Sequence, residues 1–297
     1  MLATGSKPIL LPVPGCDLPG VVTFRDLQDV DAMLQSARAH RKAIVIGGGL
    51  LGLEAANGLL KQGMDATVVH IADTLMERQL DRTAGALLKA SLEQRGIKFQ
   101  MPAKTVAITG DIRATGAKFE DGRDLDADLI VMAAGIRPNI DLAREAGLRC
   151  DRGVLVNDTL QTFDPCIYAV GECVQHRNST YGLVAPLFEQ ARVCATHLAE
   201  FGIGCYRGST LSTQLKVSGI DLFSAGDFLG GPDSEALVLR DAKRGIYKRV
   251  VIENNKVRGA VLYGDVRDGP WYLELMSEGR DVRALRDNLL FGSTKGK

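Results

Sequence analysis

Residues 42–63 read KAIVIGGGLLGLEAANGLLKQG, and this stretch leaves the chain little conformational choice. Lys42 to Ile46 is a short apolar run suited to a buried parallel strand. Leu50 to Lys61 carries apolar residues at helical spacing, and Gly63 closes it. Between them Gly47, Gly49 and Gly52 stand in the G-x-G-x-x-G spacing. The first glycine permits a tight turn, the second lets backbone approach a pyrophosphate, and the third lets helix and strand pack closely. The helix start then offers unpaired N–H groups and a partial positive charge to phosphates. Gly47, Gly48, Gly49, Leu50, Leu51 and Gly52 are therefore candidate dinucleotide contacts.

The next strand, DATVVHI, ends where dinucleotide domains usually place an acidic residue on the adenine ribose. Here the residue is His70. An imidazole can donate to a ribose hydroxyl, or to a 2′-phosphate when protonated, so NADH and NADPH both stay open. Asp73 and Arg78 in the following loop push the preference in opposite directions, and the reading leans to NADH. A helix from Asp81 to Arg95, a strand from Ile97 to Gln100, a β-meander over Lys104 to Leu125 and the strand DLIVMAAG complete the pattern. Such alternation argues for a parallel sheet wrapped by helices, with residues 36–140 as one nucleotide-binding domain.

At 297 residues the chain exceeds one ordinary domain, so two or three units are expected. Lys plus Arg equals Asp plus Glu, 36 against 36, which leaves no global positive field to gather nucleic acid or anionic lipid. The longest apolar run, LIVMAAGI, is far shorter than the ~20 residues of a membrane helix. The N-terminus lacks a basic segment followed by an apolar stretch, so a cytoplasmic protein is expected. Six cysteines, Cys16, Cys150, Cys166, Cys173, Cys194 and Cys205, form no C-x-x-C pair, and no metal site is expected.

MLATGSKPI opens the chain, and MAAGIRPNI at 132–140 nearly repeats it. Downstream, LQTFDPCIYAVGEC has the shape of the segment by which two-dinucleotide flavoproteins hold FAD. A strand from Ile167 to Val170 would deliver Gly171 and Glu172 to its C-terminal end, where a carboxylate can accept from a ribityl hydroxyl. In YGLVAPLFEQARVCATHLAEF, Pro186 lies near a helix start, and Leu187, Ala191, Cys194, Ala195 and Leu198 form the expected apolar stripe. That helix would aim its positive end at a flavin's pyrimidine edge.

ATGSKP, GGGLLGLEAA, TLMERQLD, AAGIRPN, LQTFDPCIYAVGEC and APLFEQA together resemble the FAD-dependent pyridine nucleotide-disulfide oxidoreductase-like family. They are most similar to the reductase part of the large subunit of assimilatory NAD(P)H nitrite reductase. The resemblance implies an α/β fold with two Rossmann-like dinucleotide-binding domains, for FAD and NAD(P)H, and a small α+β C-terminal domain. It divides the chain into a discontinuous FAD part over 1–35 and 141–203, an NAD(P)H domain over 36–140 and an interface domain over 204–297. By analogy the N-terminal half of the FAD domain, with its own glycine fingerprint, is missing ahead of MLATGSKP, and a fragment is expected.

The same resemblance implies cofactor contacts at Ala3, Thr4, Gly5, Arg78, Ala134, Gly135, Gly171, Glu172, Pro186 and Leu187, and a catalytic orienting role for Glu54 near the nicotinamide and flavin junction. Electrons would pass from NAD(P)H through FAD to an iron–sulfur or sirohaem acceptor, while the C-terminal unit covers the flavin or builds a homodimer contact. A rubredoxin or ferredoxin reductase, an NADH oxidase-like flavoprotein and a non-catalytic nucleotide-binding subunit are the rival readings. No histidine follows His197, which disfavours a disulfide reductase with a C-terminal acid–base histidine.

Overall fold

Residues 1–202, 204–209 and 212–293 are described by the computed structural model. The chain divides into two compact units, Met1–Ile9 with Gly135–Leu211, and Leu10–Ala134 with Ser212–Lys297.

In the second unit the run Lys42–Ile46 forms the middle of a five-stranded parallel sheet. It is flanked by Leu129–Met132 and Val21–Thr23 on one side, and by Asp65–Val69 and Lys98–Gln100 on the other. Both faces are covered, so these strands read as continuous apolar runs rather than alternating ones. The helix Leu50–Lys61 buries Leu53, Ala55, Ala56 and Leu59. The helix Arg82–Gln94 buries Ala84, Leu88 and Leu92, with the Asp81 carboxylate accepting from the Ala84 N–H at its start. Each fully buried leucine contributes about 2 kcal/mol. The expected meander is present as Thr105–Thr109, Gly116–Phe119 and Asp124–Asp126.

Val21–Thr23 and the helix Leu27–Ala39 precede the fingerprint strand, and the expected boundary between residues 35 and 36 leaves the strand and most of the helix in the flavin part. The structure differs, because Val21 to Thr23 pair in parallel with Ile130 to Met132 and extend the nucleotide sheet. A three-residue strand carries too little pattern for its sheet to be read from sequence.

The C-terminal part of this unit is a five-stranded antiparallel sheet, in the order Ser212–Val217, Ile220–Gly226, Lys256–Tyr263, Ile246–Glu253 and Glu235–Asp241. Asn254 (φ 51°) and Asn255 (φ 58°) are both left-handed, as a two-residue hairpin turn requires. The helix Gly269–Glu278 ends at left-handed Gly279. A further helix is expected from Asp281 to Leu290; the segment is instead a 3₁₀ helix over Arg283–Phe291, held as the Tyr272 hydroxyl donates to the Leu289 carbonyl at 2.6 Å. Ile220, Leu222, Tyr247 and Val261 of the sheet share one core with Leu53, Leu88 and Leu92. The Tyr247 hydroxyl also donates to Asp81 at 2.6 Å, and burial together with that carboxylate pushes the phenol up to about 12. This sheet therefore packs on the nucleotide domain's own helices.

In the first unit the two copies of the repeat pair with each other. Ser6–Pro8 runs antiparallel to Ile136–Pro138, with Lys7 opposite Arg137. The Ile9 N–H donates to the Gly135 carbonyl and the Asn139 N–H to the Gly5 carbonyl, both at 2.9 Å, giving the ribbon a local two-fold character. Val154–Val156 and Val174–His176 are parallel, with Ser179–Thr180 antiparallel on the latter. The strand expected over Ile167 to Val170 is reduced to isolated bridges, Ala169 with Leu2 and Tyr168 with Gln161.

The helix Val184–Leu198 buries Cys194 of the expected stripe and part of Leu187, but not the rest of it. Pro186, Gln190 and Cys194 are buried, whereas Ala191, Ala195 and Leu198 are exposed. The cause is polar: Gln190 Oε1 accepts the Gly171 N–H at 3.0 Å, and hydropathy does not signal an inward glutamine. Among the described residues no helix is long and apolar enough to cross a membrane.

Candidate functional site

Ile46 and Val69 are register partners, so Gly47 and His70 leave the parallel sheet side by side at its carboxyl edge. Ligands of open α/β sheets bind at this edge. Gly47 has φ 134°, and a Cβ there would lie 2.2 Å from the Ala133 carbonyl oxygen. At Gly52 a Cβ would lie 1.9 Å from the Gly47 oxygen, so no side chain fits between helix and loop. Gly49 is different. It is the N-cap of the helix Leu50–Lys61 without a side-chain cap, and a Cβ there would meet nothing within 4 Å. The first turn holds no acidic residue, Leu50 is half-buried and Leu51 is exposed. Uncapped amides thus face open space at Gly49, an arrangement that fits a diphosphate.

His70 has a different task from the one its position suggests. It is buried, and its Nδ1 accepts the Gly48 N–H at 3.1 Å. That bond leaves the ring hydrogen on Nε2, which donates to Glu77 Oε2 at 3.1 Å. Both ring nitrogens are used within the protein, so neither is left to donate to a nucleotide. A Cβ on Gly48 would fall 2.6 Å from His70 Cγ, which makes glycine at 48 a requirement of the imidazole rather than of a phosphate. Asp73 pairs with Arg82 at 2.8 Å, and Arg78 is exposed. Glu77 is the residue that sequence reasoning missed, since nothing in its spacing ties it to His70.

Glu54 is half-buried, and its Oε1 accepts the Ser218 N–H at 2.8 Å. Ser218 lies in the turn that joins Ser212–Val217 to Ile220–Gly226, so this carboxylate is tied to the C-terminal sheet.

In the other unit Thr4 and Asn139 are cross-linked, the Thr4 hydroxyl donating to the Asn139 carbonyl at 2.6 Å and Asn139 Nδ2 to the Thr4 carbonyl at 3.2 Å. The Ser6 hydroxyl donates to Glu172 Oε2 at 2.5 Å. Gly5 (φ 66°) and Gly171 (φ 96°) are left-handed, and a Cβ on either would meet nothing within 4 Å. Pro186 is buried and Leu187 half-buried in the first turns of a helix whose start also lacks a side-chain cap. Ala3, Ala134 and Gly135 are exposed. The hydroxyl-supported carboxylate beside an open glycine fits a polyhydroxyl chain such as ribityl.

A parallel sheet with a glycine-lined helix start and an added antiparallel C-terminal sheet defines the class of Rossmann-like FAD/NAD(P)-binding reductases. The chain belongs to the pyridine nucleotide-disulphide oxidoreductase family, which matches residues 1–196; the rubredoxin NAD+ reductase C-terminal domain matches residues 212–280. Family membership implies binding of FAD and NAD(P)H.

A nitrite reductase [NAD(P)H] of Bacillus subtilis is 52% identical over 282 residues, covering 95% of this chain and 35% of that protein. The assimilatory nitrate reductase electron transfer subunit of the same organism is 44% identical, covering 100% of this chain and 38% of that protein. The crystal structure of NADH:rubredoxin oxidoreductase from Clostridium acetobutylicum superposes with a TM-score of 0.77 at 26% identity, covering 96% and 72% of the two chains. The chain spans little more than a third of the length of the two curated relatives.

Proposed function

We propose that this chain is an NAD(P)H-dependent flavin reductase module that feeds electrons to a downstream redox centre. The observation that carries the reading is the cradle from Gly47 to Gly52, where the uncapped amides at the start of the helix Leu50–Lys61 meet open space at Gly49. When bound, the cofactors supply the chemistry, hydride from nicotinamide to flavin and single electrons onward. The protein supplies position. Gly49 and the amides that follow it would hold the diphosphate, Glu172 with Ser6 would meet the ribityl hydroxyls, and the uncapped helix start at Leu183 to Leu187 would offer its positive end to the flavin. Glu54, whose carboxylate accepts from the Ser218 N–H, would orient the nicotinamide.

The redox centre of a nitrite reductase is the acceptor favoured by the 52% identity to such an enzyme, and we take it to be of the iron–sulfur and sirohaem type that the sequence resemblance implies. A second reading, reduction of rubredoxin or ferredoxin, is favoured by the match of residues 212–280. The test is calorimetric titration of the folded chain with NADH and NADPH, then NAD(P)H oxidation in the presence of FAD with ferricyanide, rubredoxin, ferredoxin and nitrite as acceptors. Saturable nucleotide binding and flavin-dependent turnover are expected. A folded sample that binds neither nucleotide refutes the proposal, and the acceptor series separates the two readings.

A further inference from the structure

We propose that Glu77, held in place by His70, is the group that reads the adenine ribose of the dinucleotide and selects NADH over NADPH. The inference rests on the nucleotide-binding reading above and names the specificity residue of that site.

The position that ends the second strand of a dinucleotide fold normally carries the ribose-binding acid. Here it carries a histidine whose ring is consumed, Nδ1 by the Gly48 N–H and Nε2–H by Glu77 Oε2, each at 3.1 Å. The imidazole therefore works as a spacer that sets a carboxylate one ring further out. The Glu77 side chain is 45% exposed against 9% for His70, so the carboxylate stands at the surface while its support is buried.

The loop that brings Glu77 back is itself built. Leu75, Met76 and Leu80 are buried, anchoring the segment in the core. The Met76 N–H donates to the Gly48 carbonyl at 3.0 Å, so both backbone groups of Gly48 are bridged to residues 70–76. Met76 has φ 51°, a left-handed conformation that is costly for a residue with a long side chain, and it immediately precedes Glu77. This costly turn returns the chain so that the next side chain reaches His70. The phosphate loop and the carboxylate are thus one connected element.

A carboxylate at this place accepts from ribose hydroxyls and repels a 2′-phosphate. Asp73, the other acid of this loop, pairs with the exposed Arg82, whereas Glu77 is tied through the buried His70 to the phosphate loop. The exposed Arg78 is the competing group that a 2′-phosphate would use.

The test is titration of the folded full chain with NADH and NADPH, for wild type, Glu77→Gln, His70→Ala and Arg78→Gln. Glutamine keeps an oxygen to accept from His70 Nε2–H, so Glu77→Gln removes charge and leaves the network standing. Wild type is expected to favour NADH, and Glu77→Gln to lower the NADH:NADPH affinity ratio about tenfold or more, as for loss of a hydrogen bond to a charged group. His70→Ala is expected to lower the same ratio because Glu77 loses its support; a merely structural histidine would weaken both nucleotides equally.

If wild type binds neither nucleotide, the nucleotide-binding reading fails and this inference with it. If it binds, but prefers NADPH or keeps its ratio within twofold in Glu77→Gln, the inference alone is overturned. A ratio that moves only in Arg78→Gln has the same meaning. A ratio unchanged in His70→Ala overturns the positioning role.

Discussion

Gly52→Ala sets two opposed effects of one methyl group against each other. In an open helix interior, alanine is favoured over glycine by about 1 kcal/mol because less backbone entropy is lost. At 52 the added Cβ would lie 1.9 Å from the Gly47 oxygen and 2.9 Å from its carbonyl carbon. Both are backbone atoms of a loop pinned by the Gly47 N–H to Val69 at 2.9 Å, so no side chain can swing aside. The helix must back away by roughly 1.5 Å to restore an ordinary contact, prising Leu53, Ala56 and Leu59 from the sheet, and overpacking of this kind costs about 3 kcal/mol. The net expectation is a loss of about 2 kcal/mol. Gly58 lies in the same helix with nothing within 4 Å of its added Cβ, so Gly58→Ala should show the propensity gain alone, about 1 kcal/mol. Urea unfolding of the two variants beside wild type measures both signs. If Gly52→Ala is as stable as Gly58→Ala, the steric account of the third fingerprint glycine is wrong.

Gly49→Ala separates binding from folding: with open space around the new methyl, the urea midpoint should stay near wild type while NADH affinity falls about tenfold or more, checked by calorimetry. Lys248 is buried against Asp268 at 2.8 Å and Asp265 at 3.3 Å, and Arg267 also holds Asp265, so Lys248→Met, which leaves Asp268 without its cation, should cost about 3 kcal/mol in urea unfolding. Arg177 and His176 hold the Asp158 carboxyl down at about 2, and a depressed carboxylate stabilises the fold above its unfolded value of about 4. That contribution is lost as pH falls from about 4 through about 2, so Asp158→Asn should flatten the acid limb of a thermal-midpoint profile, with an unchanged limb as the contrary result.

Four of the five strands of the nucleotide sheet were legible because their constraints are local. A fully buried strand must be apolar throughout, a helix that packs on it must show its period, and three glycines at fixed spacing announce where the two approach each other. The meander was readable for the same reason, as turn residues and alternation act over a few positions. The faces of Val184–Leu198 were not, because the inward choice depends on a hydrogen bond from Gly171, nineteen residues away, to Gln190.

Local chemistry along the chain was enough to specify the parallel sheet, the phosphate loop and the repeated Gly-x-cation-Pro segments. Tertiary structure decided what those parts do to one another. It paired the two repeats in a single ribbon, placed the C-terminal sheet on the nucleotide helices, and turned His70 from a presumed nucleotide contact into the support of Glu77. Pattern along a strand or helix is short-ranged and survives in the sequence. Which nitrogen of an imidazole is occupied depends on where Gly48 and a left-handed Met76 bring the backbone, and only folding brings those groups together.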